Sequence, residues 1–197
     1  MNYYDIQEKA RLLLTQKRFD HSVNVAEMAV KLAEQYGADT AKAKFAGMLH
    51  DCAKGIGKEE AIEIFKKFGL VIDDITLNNE KLLHGPVGAC MAQYEMGIVD
   101  AEILDAIWFH TTGKSNMNLL TKIIYIADLI EPSREFEGVS ELRKLAFEDI
   151  DSAIIAALGQ IAQKNIRLGT LIHPDSVHAR NYLILTRSES YQNQESD

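Results

Sequence analysis

The chain has 197 residues, 47% of them hydrophobic and 25% charged, as expected for a globular protein of one domain. Its net charge of −8 argues against a nucleic-acid partner, although a local basic cluster could still hold a small phosphorylated substrate. Two cysteines are too few for a disulfide framework. With no signal-like N-terminus and no membrane-length apolar run, a cytoplasmic location and no membrane partner are expected.

Apolar residues recur at a spacing of three to four along most of the chain, which predicts helices, and no segment alternates like a strand. Asp39 and Asp100 are predicted N-caps, and Pro86 is predicted to open its helix. Nine helices are predicted, over 5–16, 20–36, 40–53, 58–68, 86–96, 101–110, 118–130, 149–168 and a last one from the His173-Pro174-Asp175 turn to about Arg187.

This pattern predicts an all-α fold, a single-domain helical bundle. The domain is expected to span residues 1–187, with the last helix as a C-terminal flank. Residues 188–197 form a polar tail that is expected to be disordered. An exposed apolar face on residues 58–70 or 149–168 could support a homodimer.

Six residues stand out by type and order, in the pattern H-x28-HD-x32-H-x25-H-x17-D: His21, His50, Asp51, His84, His110 and Asp128. Imidazole and carboxylate are ligands of hydrolytic or oxidative metal sites. Each position falls at or near a predicted helix end, with His21 in a first turn and His84 just before the helix that Pro86 opens. Helix ends gathered at one pole of a bundle would bring the six together. Any one of them alone would more often be a surface or salt-bridged residue.

The segments around these positions carry more specific information. They read RFDHSV (18–23), AGMLHDCAK (46–54), LLHGPVGA (82–89), IWFHTTG (107–113) and IADLIEPSR (126–134). In this order they resemble the HD-domain superfamily of metal-dependent phosphohydrolases. They resemble most its bacterial YqeK family, which is similar to symmetrical diadenosine tetraphosphate hydrolases. The resemblance runs from about residue 11 to residue 187.

The resemblance implies that His21, His50, Asp51 and Asp128 hold a primary divalent metal. His84 and His110 match histidines that hold a second metal in some branches, with Asp51 as the bridge. They could instead contact phosphate, and the sequence leaves both roles open. A mixed imidazole and carboxylate set suits iron, manganese or cobalt, and the resemblance favours iron, as one or two ions.

Three basic residues are candidate partners of substrate phosphates: Arg18, Lys54 and Arg134. Lys54 falls one turn after the His-Asp pair, and Arg134 follows the end of a predicted helix, so both could stabilise charge on the transferring phosphoryl group. Each of the three could also be a solvated surface charge. The candidate catalytic residues are Asp51, Lys54, His84, His110 and Arg134.

The predicted turn between the last two helices could close over a nucleoside. Its candidate substrate-binding residues, which join Arg18, Lys54, His84, His110 and Arg134, are Thr170, Leu171, Ile172, His173, Pro174 and Asp175. Without the resemblance this segment would be an ordinary interhelical loop.

Taken with these features, the resemblance implies a hydrolase that cuts a dinucleoside tetraphosphate symmetrically, diadenosine tetraphosphate to two ADP. Water would attack a phosphorus in the middle of the chain. Three alternatives stay open: a (deoxy)nucleotide phosphohydrolase, a di-iron oxygenase, and a non-enzymatic nucleotide-sensing module.

Overall fold

The computed structural model describes the backbone of residues 2–194 and the side chains of residues 2–187. This part of the chain forms eleven helices and no strand, so the predicted all-α class is confirmed. The helices are α1 (Tyr3–Leu13), α2 (Gln16–Tyr36), α3 (Thr40–Leu49), α4 (Lys58–Lys67), α5 (Asp74–Leu77), α6 (Glu80–Tyr94), α7 (Ala101–Phe109), α8 (Leu119–Ile130), α9 (Val139–Glu148), α10 (Ile150–Leu168) and α11 (Pro174–Gln194).

Helix α8 is the centre of the bundle. Eight of its twelve residues are buried, among them Ile123, Ile124 and Ile126. It packs against α2, α3, α7, α9 and α10, while α6 covers α7 and α11 covers α10. Full burial of one such side chain contributes about 1.5–3 kcal/mol. The apolar run therefore fixes the position of α8 and of the polar residues at its C-terminal end.

Two glycines let the helices around the predicted site cross closely. A β-carbon at Gly47 in α3 would lie 2.7 Å from the Cα of Ala26 in α2. One at Gly85 in α6 would lie 2.6 Å from the carbonyl oxygen of Trp108 in α7. Because both neighbours are backbone atoms, a side chain at either position would force two helices apart. The crossings hold α3 on α2 and α6 on α7, next to the predicted ligands.

The start of α6 corrects the sequence prediction. The helix begins at Glu80, where the Asn79 side chain accepts a hydrogen bond from the amide of Lys81, so Pro86 lies inside it. Proline has no N–H, so the carbonyl four residues earlier lacks its helical partner, but burial of this helix outweighs that loss. His84 is therefore inside α6 and not before it.

Other helix bounds also differ from the prediction. Helix α2 begins at Gln16, which moves His21 into its second turn, and α3 ends at Leu49, ahead of the predicted residue 53. The predicted caps Asp39 and Asp100 are confirmed, since each side chain accepts from two amides of its helix.

Two helices were not predicted, α5 and α9. The first has four residues, too few to display a helical period. The second buries Val139, Leu142 and Ala146 at helical spacing between Gly138 and Asp149, a pattern that the prediction overlooked.

The C-terminal helix is longer than predicted. The backbone of α11 is helical to Gln194, beyond the expected end near Arg187. Side chains 188–194 and residues 195–197 lie outside the described part, and the predicted disorder of the tail 188–197 stays a prediction. Within the described residues, no helix has both the length and the apolar character needed to cross a membrane.

Candidate metal centre

The six residues singled out by their order in the sequence converge at one pole of the bundle. They are His21 in α2, His50 and Asp51 at the end of α3, His84 in α6, His110 at the end of α7 and Asp128 in α8. Their potential ligand atoms form three overlapping groups, and within each group the atoms lie at most 4.8 Å apart. The groups are His21, His50 and Asp51; His50, His110 and Asp128; and Asp51, His84 and His110.

Three of the four histidines lie beside one or the other of the two carboxylates. Nε2 of His21 lies 3.0 Å from Oδ1 of Asp128. Nε2 of His84 lies 3.0 Å and Nε2 of His110 lies 3.6 Å from Oδ1 of Asp51. The two latter nitrogens are themselves 2.9 Å apart. This arrangement gives each carboxylate its own imidazole neighbours within one connected cluster.

Backbone carbonyls fix the tautomer of two histidines. Nδ1 of His50 lies 2.7 Å from the carbonyl oxygen of Gly47, and Nδ1 of His110 lies 2.7 Å from that of Ile107. A carbonyl oxygen only accepts, so each Nδ1 carries a proton, and in the neutral form of the ring each Nε2 then has a free lone pair. Both rings therefore present a ligand atom to the cluster.

His50 Nε2 has no hydrogen-bond partner although it is buried. It lies 3.7 Å from Oδ1 of Asp51 and 3.8 Å from Oδ1 of Asp128, and both of these atoms are also acceptors. A buried polar atom without a partner is costly. A cation among these lone pairs would satisfy all three atoms, so the donor set fits a divalent metal.

The charge states of the cluster suit a cation. Burial alone would raise the pKa of both carboxyl groups. For Asp128, the hydrogen bond to His21 and nearby positive charge hold the pKa well below its ordinary value. For Asp51, the neighbouring imidazole of His50 and the hydrogen bonds to His110 and His84 also hold the pKa well below its ordinary value. Burial lowers the pKa of His50 and of His84 to about 4, which keeps these imidazoles neutral, as metal ligation requires.

Two cationic side chains border the cluster on different sides. Nζ of Lys54 lies 3.2 Å from Oδ1 of Asp51 and 3.0 Å from Nε2 of His84. Nη2 of Arg134 donates to Oδ1 of Asp128 at 2.5 Å. Both side chains are partly exposed, so they are also accessible to a molecule that binds beside the cluster from solvent.

Arg18 has a different place from these two. Its Nη1 donates to the carbonyl oxygen of Lys54 at 2.5 Å. It therefore holds the turn that presents Lys54, and the structure shows no hydrogen bond or ion pair between Arg18 and the six clustered residues.

Comparison with known proteins agrees with this geometry. A family model described as HD domain matches residues 18–133. This chain belongs to the HD-domain family. It is 42% identical over 172 residues to a symmetrical bis(5'-nucleosyl)-tetraphosphatase of Halalkalibacterium halodurans, covering 87% of this chain and 91% of that protein. A protein of the same description from Bacillus subtilis is 41% identical over 171 residues, again covering 87% and 91%.

A solved structure supports the same assignment. It is described as a predicted HD superfamily hydrolase involved in NAD metabolism from Clostridium acetobutylicum. It is 45% identical to this chain and superimposes with a TM-score of 0.91, covering 94% of this chain and 98% of that one. The predicted membership of the HD superfamily and of its YqeK family is thus confirmed. HD-domain membership implies a divalent metal.

A cleft of about 610 Å³ opens beside the metal-ligand cluster of this HD domain. It is lined by His110 and Asp128 on one side and by α10 on the other. Thr170 and Leu171 of the predicted substrate turn also line it. Its volume is in the range of small-molecule sites, about 300–1,000 Å³.

The remaining residues of the predicted substrate turn, 172–175, lie outside this cleft. Nε2 of His173 lies 3.2 Å from both Oδ2 of Asp73 and Oγ1 of Thr76, and its Nδ1 accepts from the amide of Asp175. His173 therefore anchors the turn to α5. The structure does not bring Ile172, His173, Pro174 or Asp175 into the large cleft.

Four residues around the site received no role from the sequence. Glu131, Asn24 and Ser133 form a hydrogen-bonded group behind His21. Arg143 in α9 donates to the carbonyls of residues 130, 131 and 134. A usable signal existed for two of them, because Glu131 and Asn24 each lie one helical turn after a predicted ligand. No signal pointed to Arg143.

Proposed function

We propose that this protein hydrolyses dinucleoside tetraphosphates at the middle of the polyphosphate chain, cutting diadenosine tetraphosphate to two ADP. The observation that carries the proposal is a buried cluster of metal-ligand atoms between two cations, Lys54 and Arg134, beside a cleft of about 610 Å³. Two relatives at 42% and 41% identity bear the name of this activity.

His21, His50, Asp51 and Asp128 are the proposed ligands of the primary ion, and iron is the proposed metal. The orphaned Nε2 of His50 supports the assignment. A divalent ion held by these residues would lower the pKa of a bound water molecule and neutralise charge on phosphate oxygens. His84 and His110 serve as ligands of a second ion or as phosphate contacts. Their nitrogens, 2.9 Å apart, are compatible with either role.

The chain's own cations act on the polyphosphate. Arg134 donates to phosphate oxygens through its planar guanidinium, and Lys54 does so as a point charge from the opposite side. Arg18 keeps Lys54 in place through its backbone carbonyl. Because a nucleoside diphosphate is a good leaving group, the reaction needs little help from a general acid.

The test is product analysis with protein reconstituted with ferrous or manganous ion under anaerobic conditions. Diadenosine tetraphosphate should give ADP alone. AMP with ATP, or no turnover with either ion, would contradict the proposal. Release of phosphate from deoxynucleotides as the preferred reaction would favour a nucleotide phosphohydrolase. Tight nucleotide binding without turnover would favour a sensing module. In a separate assay under air, oxygen consumption without phosphate release would favour an oxygenase.

Two lysines on the cleft wall are expected to bind the polyphosphate away from the metal. Lys81 and Lys164 both line the cleft, and neither has a carboxylate within 4.0 Å among the described side chains. A hydrogen bond to a charged group contributes about 1.5 kcal/mol or more. Replacing both by alanine should raise KM for diadenosine tetraphosphate about tenfold and leave kcat within about twofold.

The matched control is the double variant Lys31→Ala, Lys144→Ala, which removes the same charge from exposed positions that do not line the cleft. Its KM should equal that of the unsubstituted protein. An equal rise in both double variants would mean that overall charge, and not contact in the cleft, sets KM.

The other partner assignments stay predictions. A homodimer is supported by exposed apolar side chains near the end of α10, Ile166 and Leu168, and light scattering of the purified protein would test it. The cytoplasmic location and the absence of nucleic-acid and membrane partners also remain predictions.

A further inference from the structure

Glu131 is a fully buried carboxylate directly behind the metal-ligand cluster. It is the C-cap of α8, one turn after Asp128, and its side chain is 0% exposed. It belongs to none of the groups of potential ligand atoms. A buried carboxylate is costly unless its oxygens are satisfied, so its partners indicate what it does.

Four donors satisfy the two oxygens of Glu131. Oε1 lies 3.0 Å from Nδ1 of His21 and 2.5 Å from Oγ of Ser133. Oε2 accepts from Nδ2 of Asn24 at 3.1 Å and from the amide of Ser133 at 2.7 Å. Burial alone would raise the pKa of Glu131, but these hydrogen bonds hold it below its ordinary value. With four donors placed on its two oxygens, the side chain acts as an acceptor and has little capacity left for a metal or a substrate.

His21 needs this external acceptor because of its place in the fold. His50 and His110 are C-caps, and each directs Nδ1 to a free carbonyl three residues earlier. His21 lies inside α2, where the carbonyls are used in helical hydrogen bonds. Glu131 replaces the missing carbonyl. Since its oxygens only accept, Nδ1 of His21 carries a proton and Nε2 faces Asp128 at 3.0 Å.

We propose that Glu131 is a positioning residue that fixes the tautomer and ring orientation of His21, so that Nε2 is available to the metal. A carboxylate behind a ligating histidine has this effect in metal sites in general. The inference rests on the proposed metal centre but not on the proposed substrate. The same helix, α8, thus supplies one ligand, Asp128, and the group that orients another.

The informative substitution is Glu131→Gln, because the environment decides where its amide group points. On the Oε2 side, the backbone N–H of Ser133 is a fixed donor and would repel an NH₂ group. On the Oε1 side, the hydroxyl of Ser133 can rotate and His21 can change tautomer. The NH₂ group should therefore face His21 and donate to Nδ1. The imidazole proton then sits on Nε2 in place of Nδ1, which removes the lone pair that the metal needs.

The test is titration of the metal-free protein with Co²⁺ and Mn²⁺ against a competing chelator. We expect Glu131→Gln to weaken binding about 10–100-fold and to change the visible absorption spectrum of bound Co²⁺. Glu135→Gln, which removes an exposed charge four residues away, is the matched control and should bind as the unsubstituted protein does. In a His21→Ala background, adding Glu131→Gln should cause no further loss of affinity.

The outcomes separate this inference from the metal centre itself. If the unsubstituted protein binds no ion, the proposed metal centre is refuted, and the role of Glu131 that depends on it is refuted as well. If that protein binds and Glu131→Gln binds equally well with an unchanged Co²⁺ spectrum, the inference alone is wrong. A lower melting temperature of the metal-free variant with unchanged affinity would also overturn it. A further loss in the His21→Ala background would mean that Glu131 does not act through His21.

Discussion

Replacing His50 by alanine is expected to remove bound metal and hydrolysis together, with a loss of activity of about 10³-fold or more. The Nε2 atom of His50 is buried, has no hydrogen-bond partner, and lies between Asp51 and Asp128. A metal supplies several kcal/mol of transition-state stabilisation in phosphoryl hydrolysis, and about 1.4 kcal/mol corresponds to a factor of ten in rate.

The measurement is metal per chain, by elemental analysis of protein purified without chelator, beside the rate of ADP release. His178→Ala is the matched control, since this histidine is 64% exposed on α11, and it should keep both metal and activity. Circular dichroism checks that the helices of His50→Ala are intact. A folded His50→Ala protein that retained its full metal content would refute the ligand assignment.

Local signals predicted most of the fold but not all helix bounds. Asp39 and Asp100 act as N-caps through short-range hydrogen bonds, and such contacts can be read from neighbouring residues. The start of α6 could not be read in this way. Proline usually marks a first turn, but tertiary burial of α6 and the cap at Asn79 place Pro86 inside the helix.

For the candidate site too, some residues could be predicted from the sequence, while contacts between distant parts of the chain could not. The order of the six clustered residues, together with the resemblance of their surrounding segments to the HD family, was sufficient to select them from the sequence. The hydrogen bond between His21 and Glu131 joins residues 110 positions apart, and only the folded chain shows that α2 and α8 are neighbours. The anchoring of His173 on Asp73 is a contact of the same kind, across 100 positions.

Replacing Arg134 by alanine is expected to lower kcat about 10²–10³-fold while the bound metal is retained, as for loss of a charged donor in a transition state. The guanidinium is held in place by its own bonds. Nε donates to the carbonyl oxygen of Asp128 at 2.7 Å, Nη2 to the Oδ1 atom of Asp128, and Arg143 holds the carbonyl of Arg134 at 2.8 Å. In the proposed reaction, this preorganised cation borders the site where charge develops on phosphate oxygens.

Two further variants separate this role from a structural one. Arg134→Lys keeps the charge but loses the planar fork, so it should recover only part of kcat. Arg167→Ala removes an exposed arginine that lines neither the cleft nor the cluster and should leave kcat unchanged. Metal content measured on the same samples decides between mechanisms. If Arg134→Ala loses its metal along with its activity, the guanidinium serves to position Asp128 and not to bind phosphate.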